Sequence, residues 1–488
     1  MKKRLFLFIV VLSLFAGMEI ALAEKEIPLS LSECLGISLA NNLDIKIAKV
    51  ESRMKAEDVL RAESMFDAVL TGKATYGDDR RASSSIFSGS KNVSVDYELG
   101  VSKLLPTGTE IDIDYSDNRY WTDSQFVVNN PLHTAGLSLS VSQSLLKNFF
   151  GYVDVKTVKL SKIEKEMAGL DSLSRIENAV AEVEKAYWHL VFTYENLAMR
   201  KELLKQAEEL YAIYEGHFKT GFAENTELYE LETNVRIRKT ELAIAENELR
   251  SSRNRLELLL NMDREGPIAP KDNLTMADIG ADLTESLREA LLANRGYLSK
   301  KKELKGKNIA LKMKENSLWP EIDLVGTYAV NGVDRKFEKA NGRLTTDKHP
   351  YYYGGVRFTV PIENNAARSD YNKALLEKEK VILELIKVEK EVINNIDDGV
   401  RAVNLNLENA KRWQKIRELE KLKFEEEKKK LAYGRSNSKT LIDYQGDLTM
   451  ATLNQYSAIL SYRYALIDLE NAKDTLLNKV GITDYDNF

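Results

Sequence analysis

Cysteine is almost absent: Cys34 is the only one in 488 residues. An intramolecular disulfide is therefore impossible, and the fold must be held by packing. Proline is scarce, with eight in the chain, and helices and strands can run long. The four histidines, His133, His189, His217 and His349, are scattered without ligand spacing. That scatter offers no metal site and no catalytic imidazole cluster. Nucleophile elbows and phosphate loops are also missing, so the chain reads as no enzyme, with no catalytic or cofactor-binding residue to nominate. Beyond the first 23 residues no apolar run of about 18 residues occurs, which leaves no membrane-spanning helix there. Charge is plentiful but nearly balanced, at a net −5, which speaks against nucleic acid as a partner.

The first 23 residues have their own character. Lys2, Lys3 and Arg4 precede an apolar run from Leu5 to Ala16, and Ala21-Leu22-Ala23 has the small-x-small form of a cleavage site. A Sec signal peptide over 1–23 is expected. Removing Lys2, Lys3, Arg4 and Glu19, three positive charges and one negative, takes the net charge from −5 to −7. Cys34 follows Glu33 well beyond the apolar run, so a buried, inert thiol is expected rather than a lipidation site. An exported chain without a spanning helix is either soluble or crosses a membrane as strands.

The longest pattern runs from Leu173 to Phe218. Ile176, Val180, Val183, Tyr187, Leu190, Tyr194 and Leu197 alternate spacings of four and three, and Leu204, Tyr211, Tyr214 and Phe218 prolong the seam. A 3.5-residue apolar period held that long predicts coiled-coil packing. Without a breaker between Val155 and Phe218, the helix is about 60 residues and, at about 1.5 Å per residue, about 90 Å long. Gly221 then stops it, and a second helix from about Glu224 to Leu260 must fold back as a hairpin.

Before this hairpin the pattern is helical from Ser32 to Ser64 and then alternates. Leu70, Ala74 and Tyr76 alternate with Thr71, Lys73 and Thr75; Val93 to Val101, Ile111 to Tyr115 and Leu137 to Val141 do the same. Each stretch has one apolar and one very polar face, which suits a sandwich or a membrane barrel. Connections alternate long (77–92), short (106–108) and long (118–133), and that asymmetry favours the barrel.

After a polar connector, 263–284, the programme recurs. Leu39-Ala40-Asn41-Asn42 is answered by Leu292-Ala293-Asn294-Arg295, and Met65-Phe66 by Leu318-Trp319. Strand-like 322–328 and 356–362 flank a polar loop, 331–350; a long helix over about 366–431 and a last one to about 479 follow, with an unbroken heptad to Leu476. The expected domains are a first repeat over 24–262, the connector, and a second repeat over 285–488. Neither repeat can bury its surplus apolar edges alone, which demands an oligomer.

Several short motifs carry a resemblance. They are Ala186-Tyr187-Trp188-His189-Leu190, Ser142-Gln143-Ser144-Leu145-Leu146, Pro320 before a strand, and the paired helix-turn segments 221–228 and 434–441. In this order, duplicated, they resemble the TolC family of outer-membrane efflux and secretion channels. The resemblance implies a mainly α fold with membrane β-strands, in which three copies close a β-barrel in the outer membrane and a long α-helical barrel through the periplasm. It implies a passive exit duct of a tripartite efflux pump or type I secretion system. The partners would be a periplasmic adaptor (a membrane fusion protein), an inner-membrane pump or ABC secretion ATPase, and outer-membrane lipid.

Carried over residue by residue, Asp443 falls on one acidic-ring position of the periplasmic gate, and the other carries Thr440. Glu227 matches the acidic position of the first-repeat turn. The gate tyrosine and arginine positions hold Leu431 and Ser436, leaving Arg435 as the candidate substitute. The adaptor-docking tips correspond to Thr220-Gly221-Phe222 and Tyr433-Gly434-Arg435. For Asp443 and Glu227 the plainer reading is a solvated acid at a helix start. The family usually supplies four strands per chain, whereas six alternating stretches occur here. They make either an 18-strand trimeric barrel or a 12-strand barrel with the hairpin 93–115 outside it. Other classes are a trimeric surface coiled-coil protein or adhesin, which leaves the strands unexplained, and a periplasmic adaptor-like structural protein, which would centre its hairpin on one β-domain.

Overall fold

The computed structural model describes residues 26–82, 87–221, 224–262, 266–346, 350–433 and 435–479; the signal-peptide segment, Phe222 and Gly434 lie outside the described residues. In chain order the elements are β1 (Ile27–Leu29), α1 (Leu31–Asn41), α2 (Leu43–Glu63), β2 (Ala68–Asp79), β3 (Asn92–Leu104), β4 (Thr109–Thr122) and β5 (Leu132–Ser144). Then come α3 (Tyr152–Lys219), α4 (Asn225–Leu260), β6 (Ile268–Pro270), α5 (Leu283–Ala293), α6 (Arg295–Asn316), β7 (Glu321–Asp334), α7 (Phe337–Leu344) and β8 (Pro350–Thr359). The chain finishes with α8 (Asn365–Ala432), α9 (Ser438–Lys473) and α10 (Leu476–Lys479). Helices α3 and α8 are both 68 residues long, and α4 and α9 both 36. No described helix is long and apolar enough to cross a membrane.

The chain divides into two compact units, each drawing on both halves of the sequence: Met1–Ile47 with Arg175–Ala293 and Ile393–Phe488, and Ala48–Ser174 with Asn294–Val392. In the first unit the core is aromatic and aliphatic on α3 and α9. Tyr187 is fully buried, and its hydroxyl donates to the Leu29 carbonyl at 3.1 Å and to Asp272 at 2.6 Å. Asp272 also accepts from the Leu31 amide at 2.9 Å, so one carboxylate ties the start of α1 to the middle of α3. Tyr462 does the matching work in the second half, donating to the Ile279 carbonyl at 2.7 Å. Gly399 permits a close helix crossing, because an added Cβ would stand 3.1 Å from Leu469. Cys34 has no exposed surface, and burial, with Glu33 and Asp272 nearby, pushes its thiol up to about 12. A maleimide is therefore expected to leave the native chain unlabelled at neutral pH and to label it once denaturant opens the fold. Rapid native labelling would show that Cys34 is not packed in this way.

In the second unit, β2-β3-β4-β5-β7-β8 form one antiparallel sheet in that order. Its helical segments are laced edge to edge by ion pairs: Lys162–Glu63 at 2.7 Å, Lys302–Glu166 at 2.5 Å, Lys300–Glu384 at 2.8 Å and Lys307–Glu377 at 2.9 Å. Such part-exposed pairs contribute little stability, but they select which helix lies beside which.

Several boundaries differ from the expectations. The helix over 32–64 is two helices, because Asn42 leaves helical geometry and its side chain accepts from the Ile45 amide at 3.1 Å. Asn294 caps α6 in the same way, accepting from Tyr297 at 2.9 Å. The structural counterpart of Asn294 is thus Asn42, one residue away from the motif alignment, and α6, at 22 residues against 21, restores the offset. The last heptad is not unbroken: Asp474 turns left-handed at φ 59° and separates α10. The connector contains β6, which pairs in parallel with β1. The polar loop after β7 contains α7, and β8 runs over 350–359 rather than 356–362.

Candidate functional site

Strand pairing sorts the sheet into two faces of opposite chemistry. Leu70, Val101, Ile113, Leu139, Tyr328 and Tyr352 stand in one row across all six strands. Each is at least 36% exposed, so an entire apolar row is open on that face. One residue along, the four central strands turn polar, with Ser102, Asp112, Ser140 and Thr327 between Val69 and Tyr353 at the edges; two rows further on, the same face holds Lys73, Glu98, Ser116, Gly136 and Asn331. Lys73 and Glu98 pair at 3.1 Å on the polar face. Hairpin β3–β4 lies between β2 and β5, which therefore do not pair with each other: the additional strands are part of the sheet.

The two ends of the sheet also differ. The four-residue turn 105–108 lies at the end from which the helices leave, and the longer connections 80–91, 123–131 and 335–349 lie at the other. At the helix end three of four residues are left-handed: Asn148, Phe150 and Gly151. Asn148 organises this joint, accepting from the Val153 amide at 2.8 Å and donating to Asp154 at 2.7 Å. In the second half Asn364, also left-handed, donates to the Leu318 carbonyl at 3.1 Å.

Both margins of the chain are unsatisfied. Within the chain β2 and β8 are edge strands, each with one side unpaired. Helix α2, just before β2, exposes Leu43, Ile47, Val50, Met54 and Leu60 along one stripe; α8, just after β8, exposes Leu376, Leu383, Leu405, Leu419 and Leu422. Unpaired strand edges flanked by open apolar seams are surfaces built to be covered.

The nominated tip residues lie at the helix turns of the first unit. The Thr220 hydroxyl donates to the Gly216 and His217 carbonyls at 3.1 and 3.0 Å, and Gly221 adopts φ +77° to end α3. Glu227 sits in the first turn of α4, where its carboxylate accepts from the Glu224 amide at 3.2 Å, closing a capping box. Thr440 occupies the first turn of α9, its amide donating to Asn437 at 2.9 Å. Asp443 is exposed one turn further on, and Tyr433 and Arg435 are exposed in the α8–α9 turn. No described bond joins Glu227, Asp443, Thr440 and Arg435 to one another.

The contacts that do tie this end together escaped the motif comparison. The Ser436 hydroxyl donates to Glu427 at 2.5 Å, and Lys430 bonds the other carboxylate oxygen at 3.0 Å. These two partners hold the Glu427 carboxyl below its usual range. Gln445 of α9 donates to Gln206 of α3 at 2.9 Å, joining the two hairpins. The Tyr214 phenol is raised by burial and by the Glu227 charge. A Glu with a Ser nine residues on has no helical periodicity to announce it. Only the turn geometry brings them together.

Open apolar rows on one face, a polar opposite face and two 68-residue helices define an architecture of one amphipathic antiparallel sheet joined to long helical hairpins. Residues 96–262 match the family model described as outer membrane efflux protein. The fold is that of solved outer-membrane channels. The Campylobacter jejuni CmeC channel is 18% identical, with a TM-score of 0.68 over 91% of this chain and 85% of that one. The open-state Neisseria gonorrhoeae MtrE channel is 16% identical, with a TM-score of 0.67 over 91% and 89%. The Vibrio cholerae outer membrane protein VceC is 10% identical, with a TM-score of 0.65 over 91% and 96%. No curated protein sequence matches the chain. The family match thus spans about a third of the chain, and the likeness in fold to outer-membrane channels spans nearly all of it.

Proposed function

We propose that this chain is one third of a homotrimeric exit duct in the outer membrane, carrying substrates passively outward from a helical tunnel in the periplasm. The observation that carries this is the six-strand sheet, apolar on one face, polar on the other and unpaired at both edges. A membrane strand needs an apolar outside, and a barrel tolerates no open edge. Pairing β8 of one copy with β2 of the next covers both edges and brings the α2 and α8 seams together. Three copies then give 18 strands, a barrel about 1.5 times as wide as a 12-strand one.

On this reading the polar face lines the pore, and no chemistry is done on the substrate. The turns 220–222 and 433–435 would dock a periplasmic adaptor, which in turn engages an inner-membrane pump or ABC secretion ATPase. Asp443, Glu227, Thr440 and Arg435 are the gate candidates, and Asp443, exposed with no side-chain bond among the described residues, is free to face a narrow axis.

Conductance of the purified protein in a planar bilayer tests the proposal. Stable, cation-preferring channels from a trimeric preparation are expected, and Asp443→Asn should reduce the cation preference severalfold, because a ring of carboxylates selects cations. A protein that never inserts overturns the channel; unchanged selectivity in Asp443→Asn removes that residue from the gate.

A further inference from the structure

Helix α7, in the long connection between β7 and β8, does not stand clear of the sheet. It lies against the apolar face. Gly332 has the Ala340 carbonyl where a Cβ would be, and Ala340 is fully buried. The Tyr115 hydroxyl donates to Asn341 at 2.8 Å, and the Phe337 ring meets His133 edge-on, centroids 5.8 Å apart. His133 in turn bonds Asp117 at 2.9 Å. Pairing places Tyr115, Asp117, His133 and Gly332 on the same side as Leu139, the side that faces lipid in the proposed barrel. They stand toward the end away from the helices, where Trp121 and Tyr76 share that face. Aromatic side chains at such a level mark the boundary between acyl chains and headgroups.

The outer side of this helix is basic. Lys336 and Lys339 are exposed, and neither side chain has an ion pair or hydrogen bond among the described residues. Arg335 donates to the Asn130 carbonyl at 2.9 Å, which leaves its charge uncompensated. Arg343 is partly neutralised by Asp334 at 2.8 Å. Among the described acids nearby, Asp117 is held by His133, Asp334 is paired with Arg343 while its charge also reaches Lys339, and Glu338 lies between the two lysines. Long lysine stems can lie on an apolar surface while their ammonium groups reach its polar rim.

We propose that α7 with Arg335, Lys336 and Lys339 is a docking site for the phosphorylated headgroups of outer-leaflet lipid, set on the outside of the barrel at headgroup level. The proposal rests on the channel assignment, since that assignment makes the apolar face the lipid side. Phosphate supplies the complementary charge, and the apolar wall below, Val330 to Leu137, supplies the acyl contact. Each cation near an anionic lipid surface is worth about a factor of five in affinity.

The test titrates the purified channel with lipid A carrying its phosphates, with dephosphorylated lipid A of the same acyl composition, and with inorganic phosphate. A Lys336→Gln/Lys339→Gln double variant is expected to bind the phosphorylated lipid about 25-fold more weakly and the dephosphorylated lipid with unchanged affinity. Equal binding of phosphorylated lipid by the two proteins overturns the proposal, as does inorganic phosphate competing as well as the lipid. Conductance of both proteins is measured alongside. Intact conductance with no lysine-dependent lipid preference overturns this inference alone, whereas a native chain that never conducts overturns the channel assignment beneath it.

Discussion

A chain carrying Leu139→Arg is expected to fail in membrane insertion, while Ser140→Arg, one residue along the same strand, inserts and conducts. Leu139 lies near the middle of β5, between Ile113 and Tyr328 on the open apolar face. Ser140 points the other way, its hydroxyl 3.0 Å from that of Thr327. An arginine at mid-membrane on the lipid side of a barrel costs about 2–4 kcal/mol per chain, and three copies in the proposed trimer raise that to about 6–12 kcal/mol. On the lumen side the same guanidinium remains in water and costs little. The yield of folded oligomer in lipid vesicles separates the two variants. Tolerance of both would place the sheet outside the bilayer, and the reverse order would mean that the faces are inverted.

That pair of substitutions works because strand register follows from the alternation in the sequence. All six strands show it, since a two-sided environment imposes a period of two on every residue it contains. The four long helices were equally legible: a seam at 3.5 residues is redundant over 36 to 68 positions, and a glycine after Phe218 supplied the stop. Elements held by tertiary contacts left no such trace. Strands β1 and β6 are three residues each and contain Pro28 and Pro270, so nothing local favours a strand; they pair because Asp272 and Tyr187 fix their surroundings. Helix α7 lies in a polar segment, and its contacts through Phe337 and Asn341 are made with His133 and Tyr115, more than 200 residues earlier in the chain.

The tips are the least legible part. Family motifs placed Glu227 and Asp443 at helix starts; Glu227 stands in the first turn of α4 and Asp443 in the second turn of α9, and a carboxylate near a helix start has two uses. Glu227 is occupied by a capping box, while Asp443 has no described partner. The bonds that hold this end, Ser436 to Glu427 and Gln445 to Gln206, join residues with no common periodicity. Short-range pattern therefore locates the tip. It does not distribute the roles.

Gly151→Ala is expected to disrupt the joint between sheet and helix, whereas Gly216→Ala should be neutral or mildly stabilising. Gly151 has φ +66°, and its Cα side faces the β3–β4 turn: an added Cβ would overlap the Pro106 carbonyl oxygen and stand 2.7 Å from the Gly108 nitrogen. Gly108 mirrors the contact, since its own Cβ would stand 2.5 Å from the Gly151 nitrogen. Both obstacles are backbone, so no side chain can swing away. The left-handed conformation costs an L-residue about 1–2 kcal/mol, and forcing a methyl into a filled space about 1–3 kcal/mol more. Gly216, inside α3, has nothing within 4 Å of its Cβ position, and alanine there gains about 0.5–1 kcal/mol of helix propensity. Denaturant unfolding followed by circular dichroism, with the yield of oligomer resistant to mild detergent, reads both effects. The position of Gly151 makes the loss informative. Strands β3 and β4 lie between β2 and β5, and their turn is seated on Gly151, just before the first long helix. If Gly151→Ala left stability and assembly unchanged, the hairpin would not be anchored there, and six strands per chain would lose their clearest structural support.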